Sequence, residues 1–264
     1  MPRSLRFFYF GNQCPHNGYL LARIKTVAWK ESVTLYLHDV TGDEATCSDY
    51  RIFSPQMLLV NDRYRLHGPF SAERVQALLE DEMTGPEPYS VRQSGDVVRG
   101  DLVRGDLVPL TPESALSTCD SCAGSPDPGL CRGKAEWVAQ MTRDSGLPSL
   151  GHLHMVGGRC AGGAEFLPSR LVPYPIPDKG PRAAFLTCVY VSDEHHDYKT
   201  HPTERLLADL KAHGFETVSV AASAAVVFPN GPASWFERLG FEDEGLLVRE
   251  EMHGADIHLL RKHL

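Results

Sequence analysis

Cysteine is the residue type in this sequence whose chemistry depends most on spacing and surroundings. Seven cysteines are present, and their odd number is poor evidence for a set of disulfides. Three of them share one Gly- and Pro-rich segment with a histidine downstream: Cys119, Cys122, Cys131 and His154. Three thiolates and one imidazole would complete the tetrahedral coordination that zinc prefers. The sequence therefore predicts a zinc site at these four residues, with a loop of free cysteines as the alternative.

A second candidate is Cys14, in the segment Cys14-Pro15-His16-Asn17 directly before a predicted helix. A thiol at a helix N-terminus has a lowered pKa and is more nucleophilic. Asn17 stands where a second cysteine would complete a Cys-x-x-Cys pair, so this motif cannot close its own disulfide. The sequence predicts a single reactive thiol, with a purely structural cysteine as the alternative.

Histidines are concentrated in the polar segment 194–201, which contains His195, His196 and His201. An imidazole titrates near neutral pH, so such residues can act as bases or as metal ligands. A solvated loop without chemistry is the alternative interpretation.

Composition and charge limit the classes of partner. The formal charge of −8 over 264 residues argues against a protein held on nucleic acid by phosphate contacts, which need a basic face. No apolar run reaches the length of about 18 residues that a membrane-spanning helix needs. The first ten residues lack the long apolar region of a signal peptide. The sequence predicts a cytoplasmic protein without membrane association and leaves its oligomeric state open.

The elements that must position these residues follow from hydrophobic periodicity. Residues 1–84 give the order strand, helix, strand, hairpin, helix. Cys14 precedes the first helix, and Pro55 precedes the hairpin. This order resembles a thioredoxin-like domain over Leu5 to about Glu82. The resemblance implies that Pro55 faces Cys14.

Residues 85–110 are predicted as a linker, and residues 111–264 as a second domain. In this domain a loop is predicted at 120–133, followed by a short helix that begins at Lys134. Two segments of this domain resemble the GNAT superfamily of acyltransferases: a strand at 185–192 with the helix after it, and a helix at 233–241 that ends in a Gly-Phe pair. The predicted fold class is α/β (α+β), with a thioredoxin-like N-terminal domain followed by a GNAT-fold mixed-sheet domain.

The GNAT resemblance implies a binding site for acetyl-CoA or another acyl-CoA. It places the thioester along one strand and the phosphates at the following helix, so that the cofactor would be held by Cys188, Val189, Val191, Thr200, His201, Thr203 and Ser234. Glu165, on a strand beside the substrate cleft, or His201 would accept the proton of the amine. Tyr190 or water would protonate the leaving thiolate.

The same segment departs from the GNAT pattern. The phosphate loop normally contains glycines, and this sequence has Thr200, Pro202 and Glu204 in their place. Proline removes one backbone donor, and glutamate adds a negative charge where a pyrophosphate would bind. Phe236 stands where many members carry a tyrosine acid.

The predicted function is acyl transfer from an acyl-CoA to an amine of a small molecule. The alternative is a GNAT-fold protein that has lost acyl-CoA and either binds a metal or thiol ligand or catalyses another reaction in the same cleft. A third candidate takes aminoacyl-tRNA as donor, because that donor needs no pyrophosphate loop. The acidic charge balance argues against it.

Overall fold

The computed structural model describes residues 3–68, 70–82, 101–102, 105–118, 128–191, 196–224, 229–230, 232–250 and 256–264. These residues form two units, each built on its own main sheet. The N-terminal unit comprises β1 (Ser4–Tyr9), α1 (His16–Glu31), β2 (Thr34–Asp39), α2 (Glu44–Asp49), β3 (Gln56–Val60), β4 (Tyr64–His67) and α3 (Ala72–Leu79).

The C-terminal unit follows after a short strand, β5 (Asp101–Leu102). Its elements are β6 (Asp106–Pro109), α4 (Pro128–Ser145), β7 (Gly151–Val156), β8 (Arg159–Pro168), β9 (Ala183–Val191), β10 (His196–Asp197), α5 (Thr200–Ala212), β11 (Thr217–Ser223), α6 (Ala233–Arg238), β12 (Glu242–Val248) and β13 (Ile257–His263).

The N-terminal sheet has the strand order β2-β1-β3-β4, with β1 parallel to β2 and both other pairs antiparallel. Successive side chains of a strand point to opposite faces. Leu5 and Phe7 of β1 therefore pack with α1 and α3 on one face, while Phe8 points to the other. Both faces of β1 are buried at Phe7 and Phe8, which explains this apolar pair, while Arg6 pairs with Asp62 near the surface.

The C-terminal sheet has seven strands in the order β12-β13-β11-β9-β8-β7-β6. Within it, β9 and β11 are the one parallel pair among the described strands. Their pairing runs only from Ala183 opposite Thr217 to Phe185 opposite Ser219. Beyond Phe185 the two strands separate. The connection between them passes through α5, as a parallel pair requires.

One hydrophobic core joins the two units. The face of the N-terminal sheet that carries Phe8 packs against α4 and the C-terminal sheet. The ring of Phe10 lies 5.5 Å from that of Trp137 and 6.1 Å from that of Tyr174, edge to face in both cases. A second core fills the space between the C-terminal sheet, α5 and α6. The units therefore share an apolar interface.

The architecture is mixed α/β, as the sequence predicts. Two boundaries differ from expectation. Residues 106–109, placed in the linker, form β6 at the edge of the seven-stranded sheet, because β7 offers them backbone partners. The helix expected to begin at Lys134 begins at Pro128, since proline is well tolerated in a first helical turn. Of the helices in the described ranges, none combines the length and apolar character needed to cross a bilayer.

Candidate functional site

The side chain of Asp197 closes the N-terminus of α5. Its Oδ1 accepts hydrogen bonds from the backbone N–H groups of Lys199 at 3.0 Å and Thr200 at 2.9 Å. Its Oδ2 accepts the hydroxyl proton of Thr200 at 2.5 Å. A helix N-terminus attracts anions because its first N–H groups have no partner within the helix. Here a buried carboxylate of the chain itself takes that position.

Other donors of this helix turn are also engaged. The Thr203 hydroxyl donates to the carbonyl of Lys199 at 2.7 Å, and Thr203 is fully buried. Pro202 is buried and has no N–H group. Thr200 and Thr203 therefore lie at the helix end that the sequence predicts, but their donors are bonded within the protein. Burial lowers the pKa of Lys199 to about 8, and its ammonium lies 4.2 Å from the ring centre of Trp235.

Asn230 bridges β9 and β11 where the two strands separate. Its Oδ1 accepts the N–H of Val189 at 2.9 Å, and its Nδ2 donates to the carbonyl of Ala221 at 3.4 Å. The backbone N–H of Ser223 donates to the carbonyl of Asn230 at 2.6 Å. The predicted thioester arm would need the free backbone groups of β9 at this place. The N–H of Val189 is already bonded to Asn230.

The remaining residues of the predicted acyl-CoA site are spread over several environments. Cys188 is half-buried beside the core between the units. Tyr190 is buried in that core and fits because position 163 is glycine, where a Cβ would lie 2.6 Å from the Tyr190 hydroxyl. The backbone of Val191 pairs with Gly162. Ser234 lies exposed on α6.

Phe236 is deep in the second core rather than at the cleft. Its ring packs 4.8 Å from that of Trp235 and 5.4 Å from that of Phe241. The residue is 1% exposed. An apolar ring is favoured there by packing, and a proton donor at this position would face no substrate.

Glu165 lies in a buried ion pair at the junction of the units. Its Oε2 accepts a hydrogen bond from Lys134 Nζ at 2.7 Å, and Gln13 Nε2 lies 3.5 Å from the same oxygen. Lys134 Nζ also donates to the backbone carbonyl of Gln13 at 2.5 Å. Lys134 is fully buried and Glu165 is 3% exposed. The carboxylate that the sequence proposes as a base is therefore held by a cation from α4 and an amide from the N-terminal unit.

Cys14 is positioned beside this pair, immediately before α1. Its Sγ lies 3.5 Å from His16 Nδ1, and the side chain of Gln56 lies beside the thiol. Burial raises the pKa of Cys14 to about 11, although His16, Lys134 and Gln56 act in the opposite direction. Burial also lowers the pKa of His16 to about 4, so this imidazole is neutral. The sequence predicts a lowered thiol pKa, and the structure differs because the C-terminal unit covers the helix end and removes water.

The described residues do not support the predicted zinc site. Both ring nitrogens of His154 are engaged: Nδ1 donates to the carbonyl of Tyr198 at 2.9 Å, and Nε2 accepts the N–H of Gly105 at 2.8 Å. Cys131 takes part in a disulfide bond, so its sulfur is not a thiolate ligand. Cys119 and Cys122 lie outside the described residues. No group of three metal-binding side chains occurs in the described ranges.

His201 lies in the first turn of α5, with its ring 5.6 Å from that of His154. Its Nδ1 is buried without a hydrogen-bond partner among the described residues. Burial lowers the pKa of His154. Of the loop histidines, His196 is half-buried in β10 and His195 lies outside the described residues. The structure therefore does not bring these imidazoles to Glu165 through any described contact.

A serine, a histidine and a glutamate form a buried chain between the units. His67 Nδ1 lies 2.7 Å from Ser54 Oγ, and His67 Nε2 lies 2.6 Å from Glu250 Oε1. Arg65 Nη2 donates to the same carboxylate at 2.9 Å. Ser54 donates its own proton to the carbonyl of Gln56 at 2.8 Å. Burial would raise the pKa of Glu250, but His67 and Arg65 outweigh it and lower the value to about 2. The serine proton is already donated to Gln56, and all three side chains are buried. These hydrogen bonds therefore hold the two units together.

Several residues of the site were not recognised from the sequence, because their sequence patterns are weak. Asp197 precedes a helix and could be recognised as a capping residue. Gln13, Gln56, Lys134 and Asn230 lie in four distant segments, and only the tertiary contacts bring three of them to Cys14 and Glu165. A lysine within a helical pattern ordinarily predicts an exposed position.

Comparisons with known proteins give a limited result. No family model matches the chain, and no curated protein matches it. The chain is similar to solved N-acetyltransferases. One is an N-acetyltransferase from Staphylococcus aureus Mu50, with 14% identity, 60% of this chain and 97% of that chain covered, and a TM-score of 0.44. Another is a ribosomal-protein-alanine N-acetyltransferase from Brucella melitensis, with 16% identity and a TM-score of 0.42. This match covers 60% of this chain and 99% of that chain.

A third similar structure is the aminoglycoside 6′-N-acetyltransferase from Enterococcus faecium, with 13% identity and a TM-score of 0.41. This match covers 60% of this chain and 96% of that chain. At these identities and TM-scores the likeness carries no argument about activity or substrate.

Proposed function

We propose that this chain is a GNAT-fold protein, joined to a thioredoxin-like N-terminal unit, that has lost acyl-CoA binding and acts on a small molecule in the same cleft. The order β6 to β13, with one parallel pair that separates after three residue pairs, supports the GNAT assignment. The order β2-β1-β3-β4, with Cys14 before α1 and Pro55 before β3, supports the thioredoxin-like assignment.

The observation that carries the proposal is the carboxylate of Asp197 on the N-terminus of α5. An incoming pyrophosphate would meet a buried negative charge and would compete for N–H groups already bonded at 2.9 and 3.0 Å. Asn230 adds a second obstacle, because it bonds the Val189 N–H that a thioester arm would need. The protein thus fills with its own side chains both places where CoA would bind.

Calorimetry with CoA, acetyl-CoA and the phosphate-bearing half of CoA tests this proposal. We expect no binding to the wild-type protein tighter than about 1 mM. Asp197→Ala frees the helix donors, so it should bind the phosphate-bearing half more tightly. Asp197→Asn is the matched control, because it keeps an acceptor for the N–H groups and removes only the charge. Micromolar binding of acetyl-CoA by the wild type would overturn the proposal.

Acyl transfer is the second candidate, and Glu165 is the observation that favours it. This carboxylate lies opposite Cys188 in the register of β8 and β9, and in an acyl transfer it would accept the proton of the amine. Incubation of the protein with acetyl-CoA and a set of small primary amines, followed by mass spectrometry, tests this candidate. Acetylated products that disappear with Glu165→Gln would establish it in place of the first proposal.

A further inference from the structure

A cavity in the C-terminal unit lies between the loop before β7, the strands β7 and β8, and α5. It encloses about 350 Å³, part of which is open to solvent. Apolar side chains from separate segments form much of its wall: Leu147, Phe166, Leu206, Leu210 and Phe215. Pro148 and His213 also line the cavity and are exposed, so a small molecule has access to it from the surface.

This cavity is separate from the places where the sequence resemblance expects a cofactor. None of the described side chains that line it belongs to the predicted acyl-CoA or zinc residues. On α5 it involves Asp209, which follows Thr200 by nine residues, a distance of about 13 Å along a helix axis. The contacts of Asp197 at the start of α5 therefore do not close this cavity.

Two polar side chains in the wall of the cavity are bonded to each other. His152 Nε2 lies 2.7 Å from Asp209 Oδ2, and both residues line the cavity. A carboxylate only accepts hydrogen bonds, so the proton of this bond belongs to Nε2. Arg205 Nε donates to Asp209 Oδ1 at 2.9 Å and offsets the charge of the carboxylate. An uncharged ligand is therefore favoured over an ionic one, which would lose its hydration without a new counter-charge.

The other ring nitrogen of His152 indicates which hydrogen-bonding group a ligand would carry. His152 is 7% exposed, and its Nδ1 is buried without a hydrogen-bond partner among the described residues. Buried polar groups are nearly always bonded to protein, ordered water or a ligand. With the proton of the neutral imidazole on Nε2, Nδ1 is an acceptor. Its missing partner is therefore a donor, such as a hydroxyl group.

We propose that this cavity binds a small uncharged molecule consisting of one apolar ring and one hydroxyl group, a phenol or a cyclic alcohol, and that the hydroxyl donates to His152 Nδ1. Because part of the 350 Å³ is open to solvent, the enclosed space suits one ring rather than two. The cavity includes neither Asp197 nor Asn230. A failure of the proposed function therefore leaves this inference standing, and the reverse also holds.

Titration of the full chain with phenol and toluene, followed by amide chemical shifts, tests the proposal. The two probes have the same ring and differ only in a hydroxyl against a methyl group. We expect saturable shifts at Gly151, His152 and Leu210, with the amide of Val248 on β12 unchanged. Phenol should bind about tenfold more tightly than toluene, as one additional buried hydrogen bond provides. Benzoate, which has a similar ring and a charge, should bind more weakly than phenol.

Two variants and a control locate the site. Leu147→Trp places a large ring in the cavity from a half-buried loop position, so it should abolish the saturable shifts. Leu246→Trp is the matched control, because Leu246 is exposed on β12 and does not line the cavity. His152→Phe removes the acceptor, so phenol should bind no more tightly than toluene.

The wild-type protein alone decides the outcome, whether or not the variants fold. Shifts that stay linear in phenol, or saturable shifts confined to amides away from the cavity, would overturn the proposal. Equal affinities for phenol and toluene would also overturn it, because the hydroxyl group would then have no partner in the cavity.

Discussion

At the residue scale, Lys134 and Glu165 form an ion pair that is buried between the units. Both side chains are buried, and their atoms lie 2.7 Å apart. Moving two charges out of water is costly, and each is tolerated because the other is present. The carbonyl and amide of Gln13 satisfy further hydrogen bonds of the pair. Removing one member of the pair should therefore destabilise the protein more than removing both charges.

Lys134→Met should lower the free energy of unfolding by about 3–5 kcal/mol, because it leaves the Glu165 charge buried without its partner. Combining it with Glu165→Gln should restore most of the loss. Denaturant unfolding of the two single variants and the double variant forms the cycle that measures the coupling. Additive losses would show that the two residues do not act as a pair.

The Cys14 thiol gives a second test at this scale. Because burial raises its pKa to about 11, only a small thiolate fraction is present near neutral pH, and the thiolate is the reactive form. The alkylation rate of Cys14 should rise about tenfold per pH unit until the pH approaches 11. In denaturant the same cysteine should show a midpoint of about 8.5. Equal midpoints in the folded and unfolded chain would contradict the buried position.

At the scale of elements, the separation of β9 and β11 is the main irregularity of the parallel pair in the C-terminal sheet. Two strands that stop pairing leave backbone groups without partners, and these need another source of hydrogen bonds. Asn230 supplies one acceptor to Val189 and one donor to Ala221. The Asn230 side chain therefore supplies hydrogen bonds that paired strands would supply to each other. It also occupies the space between the two strands.

Asn230→Ala tests how much the Asn230 side chain contributes to stability. We expect a loss of about 1–3 kcal/mol, since the buried N–H of Val189 is left unsatisfied. Hydrogen exchange of the Val189 amide should become faster, while the amide of Phe185, before the separation, should exchange as in the wild type. Unchanged protection at Val189 would mean that the amide has another partner.

At the scale of the whole molecule, the two units are held by the shared core and by Glu250. This carboxylate from the C-terminal unit is 2% exposed and bonds His67 and Arg65 of the N-terminal unit. Its pKa in the folded protein, about 2, lies below the value of about 4.3 for a free glutamate. The stabilisation is thus present above pH of about 4.3 and is lost as the pH falls toward 2.

Glu250→Gln should lower the free energy of unfolding at neutral pH by about 3 kcal/mol, because His67 and Arg65 lose their buried partner. It should also flatten the fall in stability between about pH 4.3 and about 2. Thermal unfolding across this range measures both effects. The matched control is Glu80→Gln, since Glu80 pairs with Arg3 in an exposed position and should change stability by less than about 1 kcal/mol. Equal effects of the two substitutions would contradict the role of Glu250.

The sequence by itself determined the local elements, because hydrophobic periodicity, turn residues and caps are local properties. The strand at 185–192 and the helix at 233–241 were both predicted within a few residues. It also showed that Pro202, Glu204 and Phe236 depart from an acyl-CoA site. The tertiary structure alone decided the rest, because burial and pairing depend on which distant segments meet. The core between the units surrounds Cys14 and raises its pKa, and the fold brings Lys134 to Glu165. Asp197 and Asn230 fill the places where the sequence resemblance expects a cofactor.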